Sequence, residues 1–172
     1  MKESNIYILI LSTFLLFGCS YNNGKECLQN LQIKVNNGLS ENIQLNFKNE
    51  LNCFEWDSLM FLERHFNSED IEERTGININ GLNTMGIKYL TKSDFYTHII
   101  FLKEKSIVGV IETSKGILID DFITELNNND IAIIAAEDSD FTTYLTGGKY
   151  VNGENILSLT FTKPELIEKY KK

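Results

Sequence analysis

Glu55 and Asp57 stand two residues apart, the spacing that puts a pair of carboxylates on one side of a strand. Such a pair can divide acid and base duty if it faces a cleft and one member holds its proton near neutrality. His65 and His98 are the only histidines. A zinc or catalytic site would need them close in space with carboxylates or cysteines, and neither stands in a HExxH-type spacing. Both are expected to be structural. Glu137-Asp138-Ser139-Asp140 alternates oxygens at 138 and 140 as the start of a calcium loop does. Thr143 then occupies the position that needs glycine, and Lys149 the position of the closing glutamate. An exposed acidic loop is the expectation there, and Asp120-Asp121 reads as the cap of a helical turn. Gly147-Gly148-Lys149 lacks the earlier glycine and the following Ser/Thr of a phosphate loop, so it reads as a turn. There is no Gly-x-Ser-x-Gly, and Cys27 and Cys53 are not a Cys-x-x-Cys redox pair. These patterns assign no catalytic, cofactor-binding or metal-ligating residue and no cofactor. The expectation leans to a non-enzymatic protein, with an enzyme using scattered carboxylates, Glu55 and Asp57 first, as the rival.

The N-terminus is more specific. Lys2 precedes an apolar stretch, Ile6 to Phe17, that is too short to span a bilayer core and has no polar face at helical spacing. Leu16-Phe17-Gly18-Cys19 closes it with a small residue directly before a cysteine. This resembles the lipobox-type signal peptide of bacterial lipoproteins. The resemblance implies cleavage after Gly18, lipid on the Cys19 sulfur, palmitate among its acyl chains, and a membrane attachment made by lipid alone. Ser20, rather than aspartate, follows the cysteine, which under the same resemblance favours the outer membrane. With Cys19 assigned to lipid, Cys27 and Cys53 become an even pair in an oxidising compartment. A disulfide between them would close a loop of about 27 residues and contribute roughly 3.5 kcal/mol. The alternative is two ordinary small apolar residues.

Composition narrows the partners. The 172-residue chain carries a net charge of −8, and loss of residues 1–18, which hold one lysine and one glutamate, leaves that balance unchanged. Nucleic acid is disfavoured because phosphate binding needs a basic patch, and anionic head groups are disfavoured for the same reason. The residues left after cleavage suit one hydrophobic core. The expected organisation is a signal peptide at 1–18, a lipidated tether at 19–38 rich in Asn, Gly and Lys, and one globular domain at 39–172.

Within that domain, Ile43, Leu45 and Phe47 alternate as a strand would, although Ile43, Phe47 and Leu51 also fit a helix. Cys27 to Leu31 could open a helix. Cys53 to Leu62 reads as a strand with Phe54, Trp56 and Ser58 on one side. Ser68 caps a short helix ended by Gly76, with Ile71, Phe66 and Ile77 tied to the core. Ile99–Leu102 and Ile107–Thr113 form a hairpin across a four-residue loop, followed by strands at 117–119, 131–136, 142–146 and 156–161. Asp120 to Leu126 is one helical turn. At the end, Thr162 caps a helix and Glu165 completes its capping box. The segment from Phe54-Glu55-Trp56-Asp57 to Ser68-Glu69-Asp70-Ile71-Glu72 also resembles small bacterial envelope lipoproteins of no assigned activity, which implies a shared fold over residues 43–77.

The sum is a single α+β domain, mostly antiparallel sheet with a few short helices. The functional expectation is a lipid-anchored envelope protein that binds another protein, through an exposed sheet edge. An immunity or inhibitor protein facing a basic partner is compatible with the acidity. A small apolar ligand held in a closed cavity lined by residues such as Trp56 is a third possibility.

Overall fold

In the computed structural model, the described residues are 26–35, 42–62, 68–79, 97–113, 117–118, 122, 126, 131–149, 153 and 155–171. Alternation of apolar residues builds two four-stranded sheets. One runs β1 (Gln44–Asn46), β7 (Asp140–Lys149), β8 (Asn155–Phe161), β5 (Ile117–Leu118), antiparallel except for the β5–β8 pair. The other runs β4 (Ser106–Thr113), β3 (Thr97–Lys103), β2 (Ser58–Leu62), β6 (Ile131–Ala135), antiparallel throughout. Helices are short: α1 at 26–35, α2 (Phe47–Glu50), α3 (Ser68–Thr75) and α4 (Glu165–Tyr170). The expected α+β domain of mostly antiparallel sheet is what the chain forms.

The sheets pack face to face over a core rich in phenylalanine. Leu59, Phe61, Ile99, Phe101 and Ile134 of one sheet meet Leu45, Phe141, Leu159 and Phe161 of the other, with Phe47 and Phe122 between. Phe141 is the hub, its ring 5.2–5.7 Å from those of Phe47, Phe61, Phe122 and Phe161. The opposite face of β2 and β3 is also apolar. Met60, Leu62, Ile100 and Leu102 pack there with Ile71 of α3 and Ile77. Burial on both faces explains why Leu59-Met60-Phe61-Leu62 reads as a continuous apolar run rather than an alternating one.

Several elements differ from expectation for local reasons. The strand expected over 53–62 begins only at Ser58. Upstream, Trp56 turns its Nε1–H to the Leu51 carbonyl (3.0 Å) and Cys53 is drawn to α1. The strand over 43–47 stops at Asn46, whose side chain accepts from the Asn49 amide (3.0 Å) and starts α2. Gly147 and Gly148 lie inside β7 rather than in a turn. Gly147 takes φ +82°, and the register slips between Leu145 and Lys149, so the pair makes a bulge. The capping box at the C-terminus does not form. Thr162 pairs with Thr142 and Asp140, while α4 has no side-chain cap. Phe122 and Leu126 are helical and fully buried, facing inward as expected, and the rest of the turn expected at 120–126 lies outside the described residues. Phe66 falls outside the described residues.

The β3–β4 loop is two residues, not four. Lys103 pairs with Ser106, and Glu104 and Lys105 both take positive φ, +48° and +65°. This is the backbone of a type I′ hairpin, which asparagine and glycine adopt at lower cost. Replacing Glu104-Lys105 by Asn-Gly is expected to raise stability by about 1 kcal/mol. Chemical denaturation of the double variant, read at unchanged m, measures it.

Helix α1 lies within the 19–38 segment expected to be a tether, yet it belongs to the body. Leu31 and Val35 are buried in the inter-sheet core. Gly109 of β4 leaves room for it: a Cβ there would stand 3.1–3.2 Å from Phe54 and from both Leu28 methyls. The apolar spacing 28-31-35, interrupted by Gln, Asn and Lys, hides this docking in a composition that reads as polar linker.

Candidate functional site

The bridge between α1 and the body is the first feature the cysteines create. The sulfurs of Cys27 and Cys53 are 1.97 Å apart, at bonding distance. Beside it, Glu26, Asn30, Leu31, Lys34 and Glu50 line an open groove of about 540 Å³, with Lys34 ion-paired to Glu50. One helix turn on, the Gln32 carboxamide exchanges two hydrogen bonds with the backbone of Glu112, donating to its carbonyl and accepting from its amide (2.5 Å). Gln32 therefore fills a strand position on the outer edge of β4.

The far edge of the same sheet is tended by the C-terminal helix. The Ala135 amide donates to the Tyr170 hydroxyl (3.1 Å), and that hydroxyl donates to Asp138 Oδ2 (2.5 Å). Lys169 Nζ reaches the same oxygen (2.5 Å), while the Tyr170 ring stacks on Phe161 at 5.5 Å. Asp138 was expected in an exposed acidic loop; its side chain is only 13% exposed, because it anchors α4. Burial raises its pKa, but the bonds from Lys169 and Tyr170 and the charges of Lys169 and Lys163 outweigh this and hold the carboxyl below its ordinary value. Burial and the bond to Asp138 push the Tyr170 phenol up.

The Glu55–Asp57 pair does not have the electrostatics of an acid–base couple. Glu55 is 87% exposed and lies 3.3 Å from Lys103. Asp57 accepts from the Glu104 amide and the Ser58 hydroxyl (2.7 Å each), and these bonds hold its pKa down, where a general acid needs it up. Its backbone joins Leu102 and Ala136 (2.8 Å each), so Asp57 ties the entry of β2 to both neighbouring strands. Because both Asp57 and Asp138 titrate below their unfolded values, each stabilises the fold above about pH 4, and that contribution disappears as pH falls through the lowered value. Asp57→Asn and Asp138→Asn are each expected to flatten the acid limb of a stability–pH curve, measured by urea unfolding between about pH 2 and 6.

His98 sits in β3, nearly buried, with Nε2 3.7 Å from Glu112 Oε2 on the adjacent strand, a cross-strand pair as its position in a sheet implies. His65, Cys19 and Asp120-Asp121 lie outside the described residues. Asp140 receives the Thr162 hydroxyl at 3.3 Å and Thr143 is fully buried under β1. Among the described residues no three His, Cys, Asp or Glu side chains converge as metal ligands. Trp56 packs edge-on against Phe101 at 5.3 Å, as part of the core rather than the wall of a ligand cavity. Among the described residues no helix is long and apolar enough to cross a membrane. Sequence reasoning found the cysteine pair but missed Gln32 and Tyr170, whose roles are set by a distant strand edge and leave no local pattern. Comparison with known proteins adds no relative, since no family model, no curated protein and no solved structure matches the chain.

Proposed function

We propose that the protein is a lipoprotein of the bacterial cell envelope, anchored to the outer membrane through Cys19, whose domain acts by binding a protein partner rather than by catalysis. The observation that carries this reading is the pairing of Cys27 with Cys53. Cys19, directly after the apolar run and Gly18, is the third cysteine of the sequence and stands outside that pair. A structural bridge suits an exported chain, because reducing compartments keep thiols apart. The carboxylates proposed for chemistry support a binding role from the other side: Asp57 and Asp138 are engaged in holding strands and the C-terminal helix. The net charge of −8 suits a basic partner, as an inhibitor or immunity-type protein would have.

Intact-mass measurement on detergent-extracted protein from a bacterial host tests the anchor. Residues 19–172 plus acyl groups are expected, with a gain of two hydrogens on reduction. A Cys19→Ala variant is expected to lose the acyl mass. Recovery of the full chain, unlipidated and with free thiols, overturns the envelope assignment.

A further inference from the structure

The docking of α1 against the core leaves Cys19 a short reach. Only residues 20–25 separate it from Glu26, so whatever path they take, the two Cα atoms stand at most about 25 Å apart. A domain of roughly 150 residues is about 40 Å across. A lipid on Cys19 therefore cannot reach around the body, and the surface that holds it lies on the α1 side. Helical spacing decides what α1 shows there. Leu28, Leu31 and Val35 turn to the core, while Glu26, Gln29, Asn30 and Ile33 share the opposite, exposed face. Ile33, at 56%, is the most exposed large apolar side chain among the described residues. Glu26 is the one acid on this face, and Lys34 at its margin pairs with Glu50 across the groove.

The charge of the chain is divided in the same sense. Residues 1–54 hold four lysines, four glutamates and neither aspartate nor arginine, so the whole −8 falls on residues 55–172. Acids from that remainder adjoin the corner built by α1, β1 and α2 at two places. Glu112 lies under Gln32, with its carboxylate 3.7 Å from His98 Nε2. Glu137, Asp138 and Asp140 lie in and after the short turn that packs on α2, where Lys163 and Lys169 face Asp138. Neither group stands on the outward face of α1. We propose that this face, Gln29, Asn30 and Ile33 above all, is the domain's contact with the bilayer that holds the Cys19 lipid. Anionic head groups repel an acidic surface but not a neutral one, and Ile33 can sit among them. One isoleucine is too little apolar area to hold the domain, so the anchor supplies the attachment and α1 supplies the orientation. This inference rests on the lipid-anchored reading above. It adds the side that meets the lipid, and leaves the acidic remainder to meet a partner.

The test uses the full lipidated protein, extracted in detergent and reconstituted into vesicles of phosphatidylethanolamine and phosphatidylglycerol with brominated acyl chains, which quench tryptophan on close approach. Ile33→Trp is compared with Ile133→Trp, a substitution at a second exposed isoleucine, on β6. Trp56, packed against Phe101, contributes equally to both. The new tryptophan at 33 is expected to lose about half its intensity, and the one at 133 almost none. Gln29→Glu with Asn30→Glu, added to Ile33→Trp, is expected to restore the emission on these vesicles and to leave it quenched on neutral phosphatidylcholine with brominated chains. Flotation of the vesicles separates the two levels of inference. Protein that floats but is not quenched at 33, or is quenched equally at 33 and 133, overturns the contact and spares the anchor. Protein that neither floats nor carries acyl mass overturns the anchor, and the contact with it. Quenching at 33 that survives the two added glutamates on anionic vesicles overturns the part assigned to neutrality.

Discussion

Phe141→Ala is expected to cost about 3–5 kcal/mol, the largest effect of any single truncation in this chain. Phe141 is fully buried between the two sheets and is in ring contact with four other phenylalanines. Three of these contacts are edge-to-face and the one with Phe161 is stacked, so removal forfeits specific aromatic geometry as well as buried area. The surrounding rings come from β2, β8, α2 and the turn at Phe122, four separate pieces of backbone that cannot all move inward to fill the space. Small domains hold roughly 5–15 kcal/mol in total, so the variant should unfold at far lower urea or lose its cooperative transition. Phe54→Ala, at the half-buried rim against Phe101, should cost markedly less. Equal losses at the two positions would contradict the central placement of Phe141.

Breaking the Cys27–Cys53 bridge by Cys53→Ser, or by a thiol reductant, is expected to cost about 3.5 kcal/mol through the entropy of the unfolded chain. The bridge spans 26 positions in sequence, and nothing covalent replaces it. Part of α1 should nevertheless stay in place, because Leu31 and Val35 remain buried and Gln32 keeps its two bonds to Glu112. The expected signature is therefore a lowered denaturation midpoint with faster amide exchange at Glu112, where Gln32 accepts the amide. A midpoint that does not move on reduction would mean that the bridge constrains nothing the fold does not already hold.

What the residues disclosed in advance follows the range of the interactions involved. The helix over Ser68–Thr75 was legible because its signals are local: Ser68 and acidic residues at its start and Gly76, at φ +66°, after its end. The β3–β4 hairpin was legible from two apolar runs, but its turn was not, since Glu104 and Lys105 are poor advertisements of positive φ. The two-sheet arrangement was invisible for a deeper reason. β1 pairs with β7 about a hundred residues later, as Leu45 does with Phe141, and no window of sequence spans that distance. The same holds for the edges. Gln32 and Glu112 are 80 positions apart, and Ala135 and Tyr170 are 35 apart. Of the chemical candidates, the cysteine pair was found by counting. The carboxylates at 55, 57 and 138 had suggestive spacing, but their partners are backbone amides, Lys103, Lys169 and Tyr170, which convert them from reactive groups into fasteners.

The position of the disulfide has a mechanical meaning. Tension applied to the chain ahead of α1 reaches Cys27 in the helix's first turn and crosses at once to Cys53, so α1 is bypassed rather than unravelled. From Cys53 the load enters β2 within five residues. β2 is an interior strand, bonded to β3 on one side and β6 on the other, and a pull along its axis must shear both ladders together instead of peeling them one bond at a time. A load applied at the N-terminal side would thus be taken by an interior strand held on both sides.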